Sequence, residues 1–143
     1  MTASVHQPIV VTHEGGVRFA AQVGSHRVIV DQPERSGGEN AGPSPIELLG
    51  TALGTCIAYY VQQFLHARGL PYDGMRVEVE QHKASGPSRI GTFVARVVVP
   101  ATLPAATTAL LEQVARSCPA HGTLTHGAQV SVSIDYAAAT AAA

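Results

Sequence analysis

Residues 37–71, GGENAGPSPIELLGTALGTCIAYYVQQFLHARGLP, predict one long helix with a signal at each end. Ser44 is its N-cap, Pro45 its first residue and Glu47 the third residue after the cap, which together form a capping box with its preferred proline. Gly69, followed shortly by proline, marks the end. At about 1.5 Å per residue, the roughly 24 residues between these signals give a rod of roughly 36 Å.

The middle of this predicted helix, residues 48–61, carries no charged side chain. A helix that is apolar all round is buried in a core, against a partner or in a membrane. Because the run is shorter than the roughly 18 residues of a spanning helix, a wrapped helix of a soluble protein is the better interpretation. Small residues recur every fourth position at Gly50, Gly54 and Ala58, which is typical of either a groove in the core or a helix–helix contact across a dimer.

Length and composition predict a single domain, 1–143, that assembles with itself. Charged residues make up 13% of the chain, against about 25% in typical domains, so few are available to cover a small monomer and we expect a homodimer. The net charge of −1 gives no reason to expect a nucleic-acid or membrane partner. The N-terminus shows no signal peptide, and we expect a cytoplasmic protein in which the two cysteines are free, catalytic or redox-active.

The rest of the chain predicts mostly strands, in the order βββ-α-ββ-α-β. The predicted strands are 9–11, 17–23, 27–30, 75–82, 89–99 and 129–136, with a second helix at 102–117. Antiparallel strands with two helices indicate the α+β class. The ordered core is predicted to span about 8–136, and the alanine-rich tail 137–143 is expected to fray.

The two cysteines lie on the two predicted helices. Cys56 is in the middle of the long helix, whereas Cys118 is at the end of the second helix, directly before Pro119. If Pro119 opens a new short turn, Cys118 takes its cap position, and backbone N–H groups then favour the thiolate, which is the reactive form. Two buried cysteines acting as small hydrophobes are the alternative. Cys118 with His121 and His126 is a weak metal-ligand set, because a closed zinc site needs four ligands, and no metal is expected.

Glu47 has a structural and a functional interpretation. It is a helix cap in the capping box, or a carboxylate that orients an arginine near a thiolate. It precedes Cys56 by nine residues, about 900° of rotation and about 13.5 Å of rise, so the two side chains point to opposite sides of the helix. Glu47 therefore reaches its own Cys56 only through an intermediary, or serves the Cys56 of a second subunit.

Two motifs together resemble the OsmC/Ohr family of osmotically inducible and organic-hydroperoxide-resistance proteins. One is GGENAGPSPIELLGTALGTC at 37–56, and the other is SCPAHGTL at 117–124. The resemblance covers roughly residues 8–136 and is closer to less characterised OsmC-like members than to either named branch. It implies an α+β fold in which antiparallel sheets wrap a long central helix, within an intertwined homodimer that has its active sites at the interface.

The resemblance also implies a thiol-dependent peroxidase that reduces organic hydroperoxides. Family peroxidases use the mid-helix cysteine as the peroxidatic thiolate and the second cysteine to resolve its sulfenic acid as a disulfide, and these roles fall on Cys56 and Cys118. An arginine and a glutamate assist the thiolate. The candidates are Glu47 and either Arg35, from the loop before the helix, or Arg18, from the N-terminal strands. No cofactor is implied; the reductant is an external dithiol such as a lipoyl protein or a small thiol.

Two other classes of protein suit part of the same pattern. A hot-dog fold also wraps a sheet around a long helix, binds acyl-coenzyme A or acts as a thioesterase, and leaves Cys118 without a role. A non-enzymatic redox sensor uses the thiol pair without turnover. Thioesterase activity that survives loss of both thiols identifies the first, and disulfide formation without turnover identifies the second.

Overall fold

A computed structural model describes residues 6–137 and contains two antiparallel sheets and one long helix. The elements are β1 (Val10–Gly15), β2 (Arg18–Val23), β3 (His26–Val30), a short 3-10 turn (Glu34–Ser36), α1 (Pro45–Ala67), β4 (Arg76–Ala84), β5 (Arg89–Val98), α2 (Ala105–Arg116) and α3 (Pro119–His126). The predicted α+β class is confirmed. None of the helices between residues 6 and 137 combines the length and apolar character that crossing a bilayer requires.

The N-terminal sheet is the predicted meander, with β2 paired to β1 on one side and to β3 on the other. Gly15-Gly16 turns the chain between β1 and β2, and Gly24 turns it between β2 and β3. Gly16 and Gly24 adopt left-handed φ values of 54° and 59°, which glycine reaches without steric cost. The sheet then leads through the 31–44 loop into α1.

The long helix α1 begins and ends where its sequence signals indicate. The Ser44 Oγ accepts the backbone N–H of Glu47 at 3.4 Å, and a carboxylate oxygen of Glu47 accepts the backbone N–H of Ser44 at 2.8 Å, so both halves of the capping box are present. Gly69, at φ +63°, lets the chain turn away after the last helical residue.

The small-residue stripe of α1 packs against β4 of the same chain. A methyl group on Gly54 would lie 3.0 Å from Val79 Cγ2, and one on Gly50 would lie 2.6 Å from the side-chain nitrogen of Gln81. Both glycines are buried. At these two positions the groove in the core is the correct interpretation, because the helix approaches the sheet more closely than side chains larger than hydrogen allow.

The hairpin of β4 and β5 supplies the other wall of the core. Val77 pairs with Val97 and Val79 with Ala95, while Glu78 and Glu80 alternate to the outside, as the sequence predicts. α1 packs on this hairpin, and α2 and α3 pack on α1. The buried core consists of Leu53, Ile57, Val61, Phe64 and Leu65 from α1, Leu111 from α2 and Cys118 at the start of α3.

Several predicted boundaries are wrong by a few residues. β1 runs on to Gly15 instead of ending at residue 11. The second helix starts at Ala105 instead of residue 102, because the preceding Pro104 is its N-cap, and it ends at Arg116. β4 runs on to Ala84, so the predicted turn at 83–88 is shorter. Leu110 of this helix is 46% exposed, whereas Leu111 is buried in the core.

The predicted last strand, 129–136, is not formed. Its alternating apolar residues Val130, Val132 and Ile134 are 83%, 84% and 76% exposed, and the segment pairs with neither sheet of the described chain. A strand requires a partner edge to satisfy its backbone groups, and the segment pairs with none of the open edges of the two sheets described here. The predicted fraying of the alanine-rich tail concerns residues from 138 onward, which lie outside the described residues.

Apolar surface on α1 and on the meander is left uncovered. Tyr59 is 60% exposed, and Ile46 and Leu49 on the same helix are also exposed. On β1, Val10 and Val11 point to opposite faces of the sheet and both are exposed. The expectation that α1 is enclosed on all sides is therefore not met within one chain: one side is buried against β4, α2 and α3, and the other faces outward.

Candidate active site

The two cysteines lie together where α1 meets the start of α3. Cys118 is the N-cap of α3, with extended backbone angles (φ −67°, ψ 141°), and Pro119 is the first helical residue. The Cys118 sulfur accepts the backbone N–H of His121 at 3.3 Å. The predicted cap position is thus confirmed, and the prediction that Pro119 opens a new turn is confirmed with it.

The Cys56 thiol is near enough to Cys118 to raise the pKa of the Cys118 thiol. Cys56 is partly buried and Cys118 is only 1% exposed, and both are free thiols. Cys56 projects from the middle of α1, and Cys118 projects from the start of α3.

The expected preference of Cys118 for the thiolate is wrong. Burial raises the pKa of the Cys118 thiol above its usual value, and the neighbouring Cys56 raises it further. The N–H of His121 lowers this pKa, as a cap should, but desolvation outweighs the cap. Cys118 is therefore a thiol at neutral pH. The sequence reveals the cap, which is local, but not the burial, which depends on α1 and α2.

A cleft of about 870 Å³ opens between α1, β5, α2 and α3. Neither cysteine belongs to its lining, but Leu53 and Ile57, which are close to Cys56 on α1, and His121, three positions after Cys118, do. Its volume falls within the range of about 300–1,000 Å³ that is typical of small-molecule sites. The apolar part of its lining includes Leu53, Ile57, Phe93, Val97, Leu111 and Leu124. Thr108, Glu112, Arg116 and His121 are polar members of the same lining. An apolar ligand with a polar end suits this cleft.

Glu47 and Arg35 lie together at the start of α1, away from the thiol pair of their own chain. Both line a small polar hollow with Ser44 and Asn40. The backbone N–H and hydroxyl of Ser44 lower the pKa of the Glu47 carboxyl, and Arg35 lowers it further. The capping interpretation of Glu47 is confirmed, and its proximity to Arg35 fits the functional interpretation as well.

Arg18, the other candidate cation, contacts the loop before α1. Its guanidinium donates to the Glu39 carboxylate at 3.3 Å. Neither Arg18 nor Arg35 belongs to the lining of the cleft between α1, β5, α2 and α3. Within the described part of one chain, Cys56 lies near Cys118 and Arg35 lies near Glu47, but the two cysteines are not brought together with Arg35 and Glu47.

Asp31, which sequence reasoning missed, is a carboxylate that is 2% exposed and organises this loop. Its side chain accepts the backbone N–H groups of Gln32 at 2.8 Å, Glu39 at 3.0 Å and Ala41 at 3.1 Å. The pKa of Asp31 is lowered, chiefly by the N–H of Ala41. An aspartate directly after a strand and before a glycine-rich loop is the available signal, because short carboxylates commonly bind backbone N–H groups in turns.

Two glycines make the closed loop possible. A methyl group on Gly38 would lie 1.9 Å from the backbone oxygen of Gln32, and one on Gly42 would lie 2.2 Å from that of Ile29. Both are backbone atoms that cannot move aside. The loop that carries Arg35 therefore depends on these two glycines together with the buried carboxylate of Asp31.

His121 stood out in the sequence only as a weak metal ligand. The described residues contain no group of three histidine, cysteine or carboxylate side chains arranged to hold a metal ion. His121 instead lines the cleft next to Cys118. The histidines His6, His13, His26, His66 and His82 are exposed.

Comparison with known proteins assigns the chain to a family. A model of the OsmC-like protein family matches residues 37–133, which include α1, the β4–β5 hairpin and both cysteines. The chain therefore belongs to the OsmC-like family. A search of curated protein sequences found no match.

Solved structures show the same fold. A protein of Psychrobacter arcticus 273-4, provisionally described as an osmotic stress induced and detoxification response protein, is 22% identical, with a TM-score of 0.76 over 86% of this chain and 91% of that one. The organic hydroperoxide resistance protein OsmC of Legionella pneumophila is 14% identical, with a TM-score of 0.58 over 85% and 91%. An OsmC-like protein of Mycoplasma pneumoniae is 17% identical, with a TM-score of 0.64 over 82% and 86%. The OsmC-like fold expected from the sequence is confirmed.

Proposed function

We propose that this protein is a thiol-dependent peroxidase that reduces organic hydroperoxides. The observation that carries the proposal is the meeting of Cys56 and Cys118 beside an apolar cleft. Cys56 is the peroxidatic thiol, because it is the more accessible of the two and projects from the rigid helix. Cys118 is the resolving thiol, because a buried sulfur with a raised pKa is a poor first nucleophile but lies beside the sulfenic acid once that forms.

The cycle needs an electron donor that the protein does not contain. After Cys56 attacks the hydroperoxide, Cys118 displaces water from the sulfenic acid and a disulfide forms. An external dithiol, such as a lipoyl protein or a small thiol, reduces that disulfide by exchange. Two free thiols suit a reducing compartment, and we place the protein in the cytoplasm.

The decisive experiment is intact mass spectrometry after one equivalent of an organic hydroperoxide. The expected product is a single chain that has lost about two hydrogens, with the disulfide between Cys56 and Cys118, and that a dithiol returns to its original mass. A chain that keeps its mass while the peroxide persists refutes the proposal. Hydrolysis of acyl thioesters by protein lacking both thiols would establish the hot-dog type of activity instead.

We expect the working form to be an intertwined homodimer. The exposed apolar side chains of α1 and β1 and the unpaired 129–136 segment support this, since a second copy would cover the former and pair with the latter. Light scattering at micromolar concentration should give twice the chain mass of 14.8 kDa. A mass of one chain would contradict the dimer.

In such a dimer, Arg35 or Arg18 stabilises the Cys56 thiolate of the partner subunit, and Glu47 orients that arginine. Arg35→Ala and Arg18→Ala are therefore compared by the pH dependence of Cys56 alkylation. Loss of the correct arginine should raise the alkylation midpoint by about one pH unit, the tenfold effect of an adjacent cation.

Arg89→Ala provides the matched control, because Arg89 is an exposed arginine that bonds only turn carbonyls of Ser85 and Pro87. This variant should leave the midpoint unchanged. If neither Arg35→Ala nor Arg18→Ala shifts the midpoint relative to that control, the assisting cation is another residue.

A further inference from the structure

His121 links the thiol pair to the cleft. It occupies the first turn of α3, and its backbone N–H lies 3.3 Å from the Cys118 sulfur. It also belongs to the lining of the cleft, together with Leu53 and Ile57. These two residues lie three positions before and one position after Cys56 on α1, so the cleft borders the part of α1 that carries Cys56, although neither cysteine lines it.

The imidazole of His121 is not used by the fold. Among residues 6–137 it takes part in no hydrogen bond, ion pair or ring contact, although its backbone groups do bond within α3. The residue is partly buried. His126, on the same helix, differs: it is exposed, its ring bonds the Gly122 carbonyl at 3.1 Å, and it is not part of the cleft lining.

We propose that His121 is a catalytic acid of the peroxidase reaction, protonating the alkoxide that leaves when Cys56 cleaves a hydroperoxide held in the cleft. This inference rests on the proposed function. The proposed role of His121 is to protonate the hydroperoxide oxygen that is bonded to the organic group. This role does not depend on which arginine assists the Cys56 thiolate.

The step balances with groups already present. The Cys56 thiol loses its proton to water, the His121 imidazole takes up a proton from water, and the Cys56 thiolate bonds to the terminal oxygen of R–O–O–H. The O–O bond breaks, the sulfur is oxidised by two electrons to Cys56–SOH, and the departing RO⁻ takes the proton from the imidazolium and leaves as ROH. Cys118 then attacks the Cys56 sulfur, the S–O bond breaks, and the proton of Cys118 leaves in the water that is released.

An acid at this position matters because an alkoxide is a strongly basic leaving group, and the apolar part of the lining cannot stabilise it. An imidazole both accepts and donates protons near neutral pH, and a positioned acid or base typically contributes about 10²–10⁴-fold to a rate. Glu112 and Arg116, one turn apart on α2, are the charged side chains of the same lining. His121 is the one histidine of that lining.

The test uses two oxidants with different leaving groups. tert-Butyl hydroperoxide releases an alkoxide that requires a proton, whereas peracetic acid releases a carboxylate that does not. For His121→Gln, the second-order rate constant of Cys56 oxidation should fall about 10²-fold with tert-butyl hydroperoxide and less than about threefold with peracetic acid. A purely structural role would lower both rates alike.

His126→Gln is the matched control and should leave both rate constants unchanged. His121→Asn provides a second substitution at the same site, and far-UV circular dichroism establishes folding for each variant. Equal losses with both oxidants, or no loss with either, would overturn the role of His121. Wild-type protein that reacts with neither oxidant would overturn the proposed function and this inference together, whereas active wild-type protein with unselective variants overturns this inference alone.

Discussion

Cys56→Ser is expected to abolish hydroperoxide consumption, since a hydroxyl cannot form a sulfenic acid. Cys118→Ser should behave differently and react once, because Cys56 is still present. It should then accumulate Cys56 as sulfenic acid and, under excess peroxide, as sulfinic acid, because no second thiol lies within reach to form the disulfide. Turnover should slow to the rate at which an external thiol enters the cleft.

Mass spectrometry of the two single variants after peroxide treatment measures this asymmetry. Each oxygen added to Cys56 in Cys118→Ser should appear in a peptide from α1, while Cys56→Ser should remain unmodified at one equivalent of peroxide. Oxidation of Cys118 in the Cys56→Ser protein, with Cys56 inert in the other variant, would reverse the two roles.

Gly54→Leu should destabilise the protein strongly. The residue faces β4, and even a methyl group would lie 3.0 Å from Val79 Cγ2, so a leucine forces α1 away from the sheet. Overpacking of this kind commonly costs about 1–3 kcal/mol or more. Urea denaturation should show a lower midpoint, and peroxide consumption should fall as well, because Cys56 lies two residues further along the same helix.

Gly122→Ala is the matched control for that variant. Gly122 is also a helical glycine, but a methyl group there meets nothing within 4 Å. Alanine should therefore leave the free energy of unfolding unchanged or raise it by up to about 1 kcal/mol through helix propensity. Unfolding of Gly54→Leu at the wild-type midpoint would mean that α1 and β4 are less tightly packed than this contact indicates.

The parts of the fold that could be predicted are those whose signals lie within a few residues of each other. The capping box joins Ser44 and Glu47 within one turn, and Pro119 stands next to the cap that it creates. The thiol pair itself was expected from the resemblance of two motifs. Burial of Cys118 was only one of the two alternatives that the sequence left open, because it depends on packing against α1, which is distant from Cys118 in the sequence.

The remaining differences arise from contacts over longer range. The alternation of Val130, Val132 and Ile134 predicts which side chains share a face, but a period of two does not specify the edge with which the segment pairs. Asp31 was missed because two of its three hydrogen-bond donors, Glu39 and Ala41, lie 8 and 10 positions further along the chain. Neither feature has a local signature comparable with a helix cap.

The Cys118 sulfur has two roles: it accepts the His121 N–H at the start of α3, and in the proposed reaction it forms the disulfide. Serine is among the most favourable N-cap residues, so a drift from cysteine to serine at this position keeps an acceptor for the His121 N–H and preserves the helix. Selection for folding would therefore not remove such a change, whereas selection for redox cycling would remove it. A descendant of this chain that carries Cys118→Ser would keep the fold after losing its resolving sulfur. The fold alone would therefore not distinguish proteins with the resolving sulfur from proteins without it.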